Sequence, residues 1–164
     1  MIFIRSAMVS DLAAVKALLR ESWHHTYDAT HGAEKIRQVT DEWHSLAALA
    51  ANLKKPWSEF LVADSGEALR GVGFASQSSE DYTMIHHLYV APDALGQGIG
   101  AQLLQEIFEA FPEAKSFRLE VDEANDKAVG FYKHFGFTEI SRTANCGADG
   151  SNMPAIVMEK RSEF

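Results

Sequence analysis

The sequence predicts an α+β (mixed α/β) fold, a sheet layered with helices, on three observations. A strand hands over to a helix at the amino terminus, a meander of strand candidates follows from Ser58, and strands alternate with helices beyond Pro92.

"IFIRSA", Ile2–Ala7, is the first strand candidate. In "SDLAAVKALLRES", Ser10 or Asp11 caps a helix whose apolar stripe is Leu12, Val15, Leu18 and Leu19. Trp23 to Pro56 is aromatic, bears histidines and carries helical patterning ("SLAALAANL"), which reads as one or two helices plus a loop. "EFLVADS", "LRGVGFASQ" and "YTMIHHLYVA" are three strands of an antiparallel meander, the first two separated by a turn at Ser65 and Gly66. After Pro92 come a helix from Ile99 to Phe111, the strand "SFRLEV" and a helix from Lys127 to Phe135. The strands "FTEISRT" and "MPAIVMEK" close the order, with "NCGADGSN", Asn145–Asn152, as a surface hairpin connection.

With 164 residues and 46% apolar composition, the chain suits one domain, 1–164, with a substantial core. A net charge of −8 without a basic stripe disfavours nucleic acid. Cys146 is the only cysteine, so no internal disulfide forms and a reducing compartment is expected. No apolar run reaches the roughly 18 residues of a membrane span, so the expectation is a soluble, cytoplasmic protein with no membrane partner.

In "LYVAPDALGQGIGAQLL", Gly96, Gly98 and Gly100 stand between a strand and a helix with the apolar face Ile99, Leu103 and Ile107. Glycines there let an anion approach the unpaired amides and the positive dipole end, which reads as a phosphate seat; a tight strand-to-helix turn alone is the other reading. No GK[ST] follows, and the spacing is not that of the dinucleotide fingerprint. A second segment, "LEVDEANDKAVGFYKHFGF", sets Asn125 as a helix cap with Ala128 and Tyr132 on its face. Phe131 and Phe135 form a neighbouring face expected in the core, and Gly136 stops the helix.

These two segments together resemble the signature segments of the GCN5-related N-acetyltransferase (GNAT) superfamily. The resemblance implies a central mixed, mostly antiparallel sheet of about seven strands flanked by about four helices. It also implies acetyl-coenzyme A as the acetyl donor, with no metal. The backbone of Leu88, Tyr89 and Val90 would hold the pantetheine arm. The amides of Leu95, Gly96, Gln97, Gly98, Ile99, Gly100 and Ala101 would wrap the pyrophosphate, while Asn125, Ala128, Phe131 and Tyr132 would line the cofactor's other side. Leu95 departs from the family, which usually carries Gln or Arg at that place.

Acetyl transfer to an amine requires an unprotonated nucleophile, a stabilised oxyanion and a protonated leaving thiolate. Tyr132 suits the last role, because a phenol of pKa about 10 stays protonated and can donate to a thiolate of pKa about 8.5. The general base is Glu120, a carboxylate inside the apolar strand "FRLEV", or His86, which shares strand parity with Leu88 and Val90. Glu120 resembles the glutamate of ribosomal-protein alanine N-acetyltransferases, and His86 the histidine of arylalkylamine acetyltransferases. His87, on the opposite strand face, is expected to pack under a helix. His24, His25, His31 and His44 lack metal-ligand spacing. Trp23 and Tyr27, four apart, are candidates for the acceptor pocket or for ordinary core. Cys146 has no neighbouring base to make it a nucleophile, so direct transfer in a ternary complex is expected.

The function so read is N-acetylation of a primary amine on a small molecule or a peptide; a non-catalytic acyl-CoA binding or sensing module is the alternative. Edge strands near the carboxyl terminus offer a surface for a homodimer.

Overall fold

The computed structural model describes residues 1–147 and 150–162; Ala148 and Asp149 of the polar loop, with Glu163 and Phe164, lie outside the described residues. The elements are β1 (Phe3–Ser6), α1 (Leu12–His31), α2 (Ala33–Trp43), α3 (Leu46–Lys54), β2 (Ser58–Asp64), β3 (Leu69–Gln77) and β4 (Tyr82–Val90), then α4 (Ile99–Ala110), β5 (Ser116–Asp122), α5 (Asp126–His134), β6 (Thr138–Thr143) and β7 (Ala155–Arg161). Seven strands form one mixed sheet in the order β1-β2-β3-β4-β5-β7-β6, with β4–β5 parallel and β1–β2, β2–β3, β5–β7 and β6–β7 antiparallel.

Five α-helices occur among the described residues, against an expectation of about four. The difference lies in Trp23–Pro56. Helix α1 runs on through Trp23 and Tyr27 until Gly32, whose φ of +87° suits only glycine and ends it. Helix α3 then starts afresh at Ser45, whose side chain accepts the Ala48 amide at 3.1 Å. The expected cap at Asp11 is not made. Its carboxylate instead accepts Arg5 Nη1 and Nη2 at 2.8 and 2.9 Å and the Met8 amide at 2.8 Å, tying β1 to the turn that precedes α1. The Arg5 guanidinium accordingly holds the Asp11 carboxyl below the usual carboxylate range.

The chain divides into two compact units, residues 1–76 with 87–112 and residues 77–86 with 113–164. In the first, the stripe of α1 meets Leu49, Phe60, Val62, Val72 and Phe74 in a closed apolar cluster. Helix α4 lies close on β3, because Gly71 leaves room: a Cβ there would stand 2.9 Å from Leu103 Cδ1 and 3.1 Å from Ile99 Cγ2. In the second unit, Phe117, Leu119 and Val121 alternate along β5 into a core with Phe137, Met153, Ile156 and Met158. Ser116, Arg118 and Glu120 alternate with them onto the other face of β5. No helix among the described residues is long and apolar enough to cross a membrane.

Candidate active site

The first unit carries the glycine loop. A 3-10 turn, Pro92–Ala94, leads into it and is pinned to β3 by the Ala91 amide on the Arg70 carbonyl at 2.9 Å and by the Arg70–Asp93 ion pair. Gly96 and Gly98 both have positive φ, +81° and +80°, and a Cβ on either would touch nothing within 4 Å, so what they supply is backbone conformation. Leu95 to Gly98 are exposed. Gly98 caps α4 without a side-chain hydrogen bond, and no acidic residue sits in the first turn. The protein therefore spends neither the leading amides nor the dipole of α4 on its own side chains.

The same unit holds an aromatic cluster. Trp23 and Tyr27, expected as acceptor-pocket or core residues, are both buried, with ring centroids 4.9 Å apart. Trp23 also meets His44 at 5.3 Å, and His44 meets His87 at 5.2 Å. His87, which also faces Phe74 at 6.0 Å, thus packs beneath the helical segment. Trp23 Nε1 and His44 Nδ1 are buried without a hydrogen-bond partner among the described residues, and burial pushes the His44 imidazole down to about 4.

The second unit carries Glu120, His86 and helix α5. Asn125 caps α5 as expected, its Oδ1 accepting the Ala128 amide at 3.2 Å. Tyr132 is 9% exposed and is the buried residue of this short helix, packed edge-on to Phe131 at 5.3 Å and Phe137 at 5.5 Å. Phe131 and Phe135, expected in the core, are only half-buried. A helix of nine residues presents little area to the sheet, and Phe137, on the returning chain, takes the core position in their place.

Glu120 opens into a cleft of about 370 Å³ whose walls include Tyr82, Met84, Arg118, Asn145 and Val157. Desolvation raises its carboxyl above the ordinary carboxylate value, opposed by a hydrogen bond from the Gly147 amide. His86 and Tyr132 are not in that lining, although His86 follows Tyr82 and Met84 at strand period along β4. Sequence reading passes over Arg118, Tyr82 and Asn145. The signal for Arg118 was available, two residues before Glu120 and so on its face.

Cys146 sits beside Glu120. Burial first, then the Glu120 and Asp122 carboxylates, push its thiol up to about 12, which deprives it of nucleophilic character. Among the described residues no group of three or more His, Cys, Asp or Glu is disposed to hold a metal.

The first unit by itself offers an open helix start to an anion, and the second by itself a desolvated carboxylate in a cleft; the class, a group-transferring enzyme, follows from the family. The model of the acetyltransferase (GNAT) domain matches residues 27–161, and the chain belongs to that family as an acetyl-CoA-dependent N-acetyltransferase. The crystal structure of PaiA N-acetyltransferase from Thermoplasma acidophilum in complex with coenzyme A superposes with a TM-score of 0.86 at 26% identity, over 99% of both chains. N-alpha-acetyltransferase RimI of Mycobacterium tuberculosis is 33% identical over 69% of this chain and 74% of its own length. Phosphinothricin N-acetyltransferase of Alcaligenes faecalis is 27% identical over 88% of this chain and 74% of its own.

Proposed function

We propose that the chain, as one domain over residues 1–164, transfers acetyl from acetyl-coenzyme A directly to a primary amine of a small molecule or a peptide N-terminus, in the cytoplasm and without a metal. The observation that carries this reading is the uncapped, acid-free start of α4 behind two positive-φ glycines. With no Lys or Arg between Leu95 and Ala101, anion binding rests on backbone amides from Leu95 to Ala101 and the helix dipole. Leu95, 53% exposed, adds apolar cover where a polar side chain would add a further hydrogen bond.

Bound acetyl-CoA supplies an activated thioester; the chain's own groups do the rest. The backbone of Leu88, Tyr89 and Val90 holds the pantetheine arm. Asn125, its Oδ1 committed to the Ala128 amide, keeps its Nδ2 for an amide carbonyl of that arm, with Ala128 and Phe131 packing alongside. Tyr132 donates its phenolic proton to the departing sulfur. Glu120 accepts a proton from the acceptor's ammonium, directly or through a water, and its raised carboxyl brings it nearer the working pH of a general base. His86, exposed on β4, is the other base. Trp23 and Tyr27, buried aromatics on one face of α1, are the candidates for lining the acceptor pocket. Similarity to RimI and to phosphinothricin N-acetyltransferase supports peptide N-termini and small amines as the two acceptor classes. The exposed edge strand β6 is the surface on which a homodimer would form.

Calorimetry with acetyl-CoA, coenzyme A, ATP and NAD, followed by coenzyme A release with an amine panel, tests the reading. Selective binding of the two coenzyme A species with amine-dependent release is expected. Binding without release on any amine would mean a sensing module, and no binding would remove the cofactor assignment altogether.

A further inference from the structure

The cleft beside Glu120 contains a second charged group that the reaction itself does not use. Arg118 stands two residues before Glu120 on the same strand face, so their side chains leave the sheet roughly 7 Å apart. Across the ladder Arg118 faces Glu159, and its Nε donates to Glu159 Oε2 at 2.6 Å. Its guanidinium lies over the Tyr82 ring at 4.2 Å from the centroid. Both contacts fix the plane of the group. Neither uses the outer edge: Nη1 and Nη2 make no hydrogen bond among the described residues, and Arg118 lines the cleft with its side chain 35% exposed. Arg118 pairs with Glu159 and not with Glu120, its neighbour on the strand face.

We infer that Arg118 reads a carboxylate on the acceptor, so that the amines this enzyme acetylates are amino acids or other compact amine acids rather than amines lacking an acid group. This rests on the acetyltransferase reading with Glu120 at the amine. The end-on edge of a guanidinium offers two parallel donors matched to the two oxygens of a carboxylate, a fit that ammonium groups and neutral amides lack. One strand face thus presents an acceptor for the amine and, one side-chain repeat away, a fork for the acid. A compact molecule with both groups near one another spans that interval with a hydrogen bond at each end. Because Glu159 already balances the Arg118 charge, the guanidinium works as a short-range reader: it acts on acceptor KM and leaves the acetyl-CoA side untouched.

The experiment uses the full chain with acetyl-CoA and follows coenzyme A release. Acceptors are the standard amino acids as free acids, their α-carboxamides, the corresponding decarboxylated amines and short peptides with free N-termini. The expected result is at least one free acid favoured over its own carboxamide by about tenfold or more in kcat/KM, the scale of a charge-assisted hydrogen-bond pair. Arg118→Gln is expected to erase that ratio through the acceptor KM, with the KM for acetyl-CoA unchanged, and Arg118→Lys to retain part of it. Thermal melting checks that the variants fold; if Arg118→Gln does not, the wild-type ratio and Arg118→Lys decide. Carboxamides, amines or peptides equal to or better than the free acids, or a preference that survives in Arg118→Gln, overturns the inference and leaves acetyl transfer standing. No release with any acceptor overturns the acetyltransferase reading, and this inference with it.

Discussion

The Glu120 carboxyl owes its raised value to surroundings that no local pattern specifies: the β5–β7 ladder sets it opposite Val157, burial desolvates it, and the Gly147 amide partly compensates. With Glu120 as the proposed base, its raised carboxyl is expected to put the acidic limb of kcat/KM above the ordinary value of 4.5. Glu120→Gln is expected to lower kcat/KM by roughly 100-fold and to remove that limb. A limb that persists in Glu120→Gln and vanishes in His86→Gln would transfer the role to His86. Tyr132→Phe separates proton donation from packing, because it keeps the ring against Phe131 and Phe137. Turnover should fall roughly 10- to 100-fold while calorimetric affinity for acetyl-CoA holds; a matching loss of affinity would make the tyrosine structural. Glu120 was visible in the sequence as a carboxylate in an apolar strand, and Asn125 as a cap. Strand parity puts Arg118 on the face of Glu120, but its fixed orientation comes from Glu159 and Tyr82, 41 and 36 positions away in the chain, and is not legible locally.

Helix α4 shows how one element holds a loop in place. Its apolar face seats on β3 only because Gly71 presents no side chain to Leu103 and Ile99, with the Tyr89 carbonyl only 3.2 Å from where a Cβ would stand. Gly71→Ala is expected to cost about 1–3 kcal/mol in denaturant unfolding, the usual result of overpacking, and to weaken acetyl-CoA binding by displacing the start of α4. Gly98→Ala meets no neighbour, so its cost is conformational alone, about 1 kcal/mol for a left-handed alanine. Unaltered stability in either variant would contradict the corresponding argument. Periodicity located α4 to within a residue of its end at Ala110, because its stripe, its glycines and its strand all agree. It mislaid the end of α1, where Trp23 and Tyr27 resemble a change of element yet continue the same buried face until Gly32. Asp11 looked like a cap because capping is local, whereas its contacts with Arg5 reach back into β1.

For the whole molecule, one buried imidazole makes stability depend on pH. His44 titrates near 4 when folded against an ordinary 6.5, so between those values the unfolded chain binds the extra proton and stability rises with pH. Unfolding free energy should therefore fall by up to about 3 kcal/mol as pH drops from 6.5 to 4, and His44→Gln should flatten that slope; an unchanged slope would mean that other groups set it. The Arg5-held Asp11 contributes with the same sign in the more acidic interval that follows, its stabilisation being lost only as pH falls below the ordinary carboxylate value. Cys146 bears on how the protein can be studied. With its thiol near 12, only about one molecule in ten thousand carries a thiolate at pH 8, and there is no other cysteine. A disulfide dye is expected to react with the folded enzyme much more slowly than with the enzyme in urea, so that the colour developing during turnover mainly counts coenzyme A released.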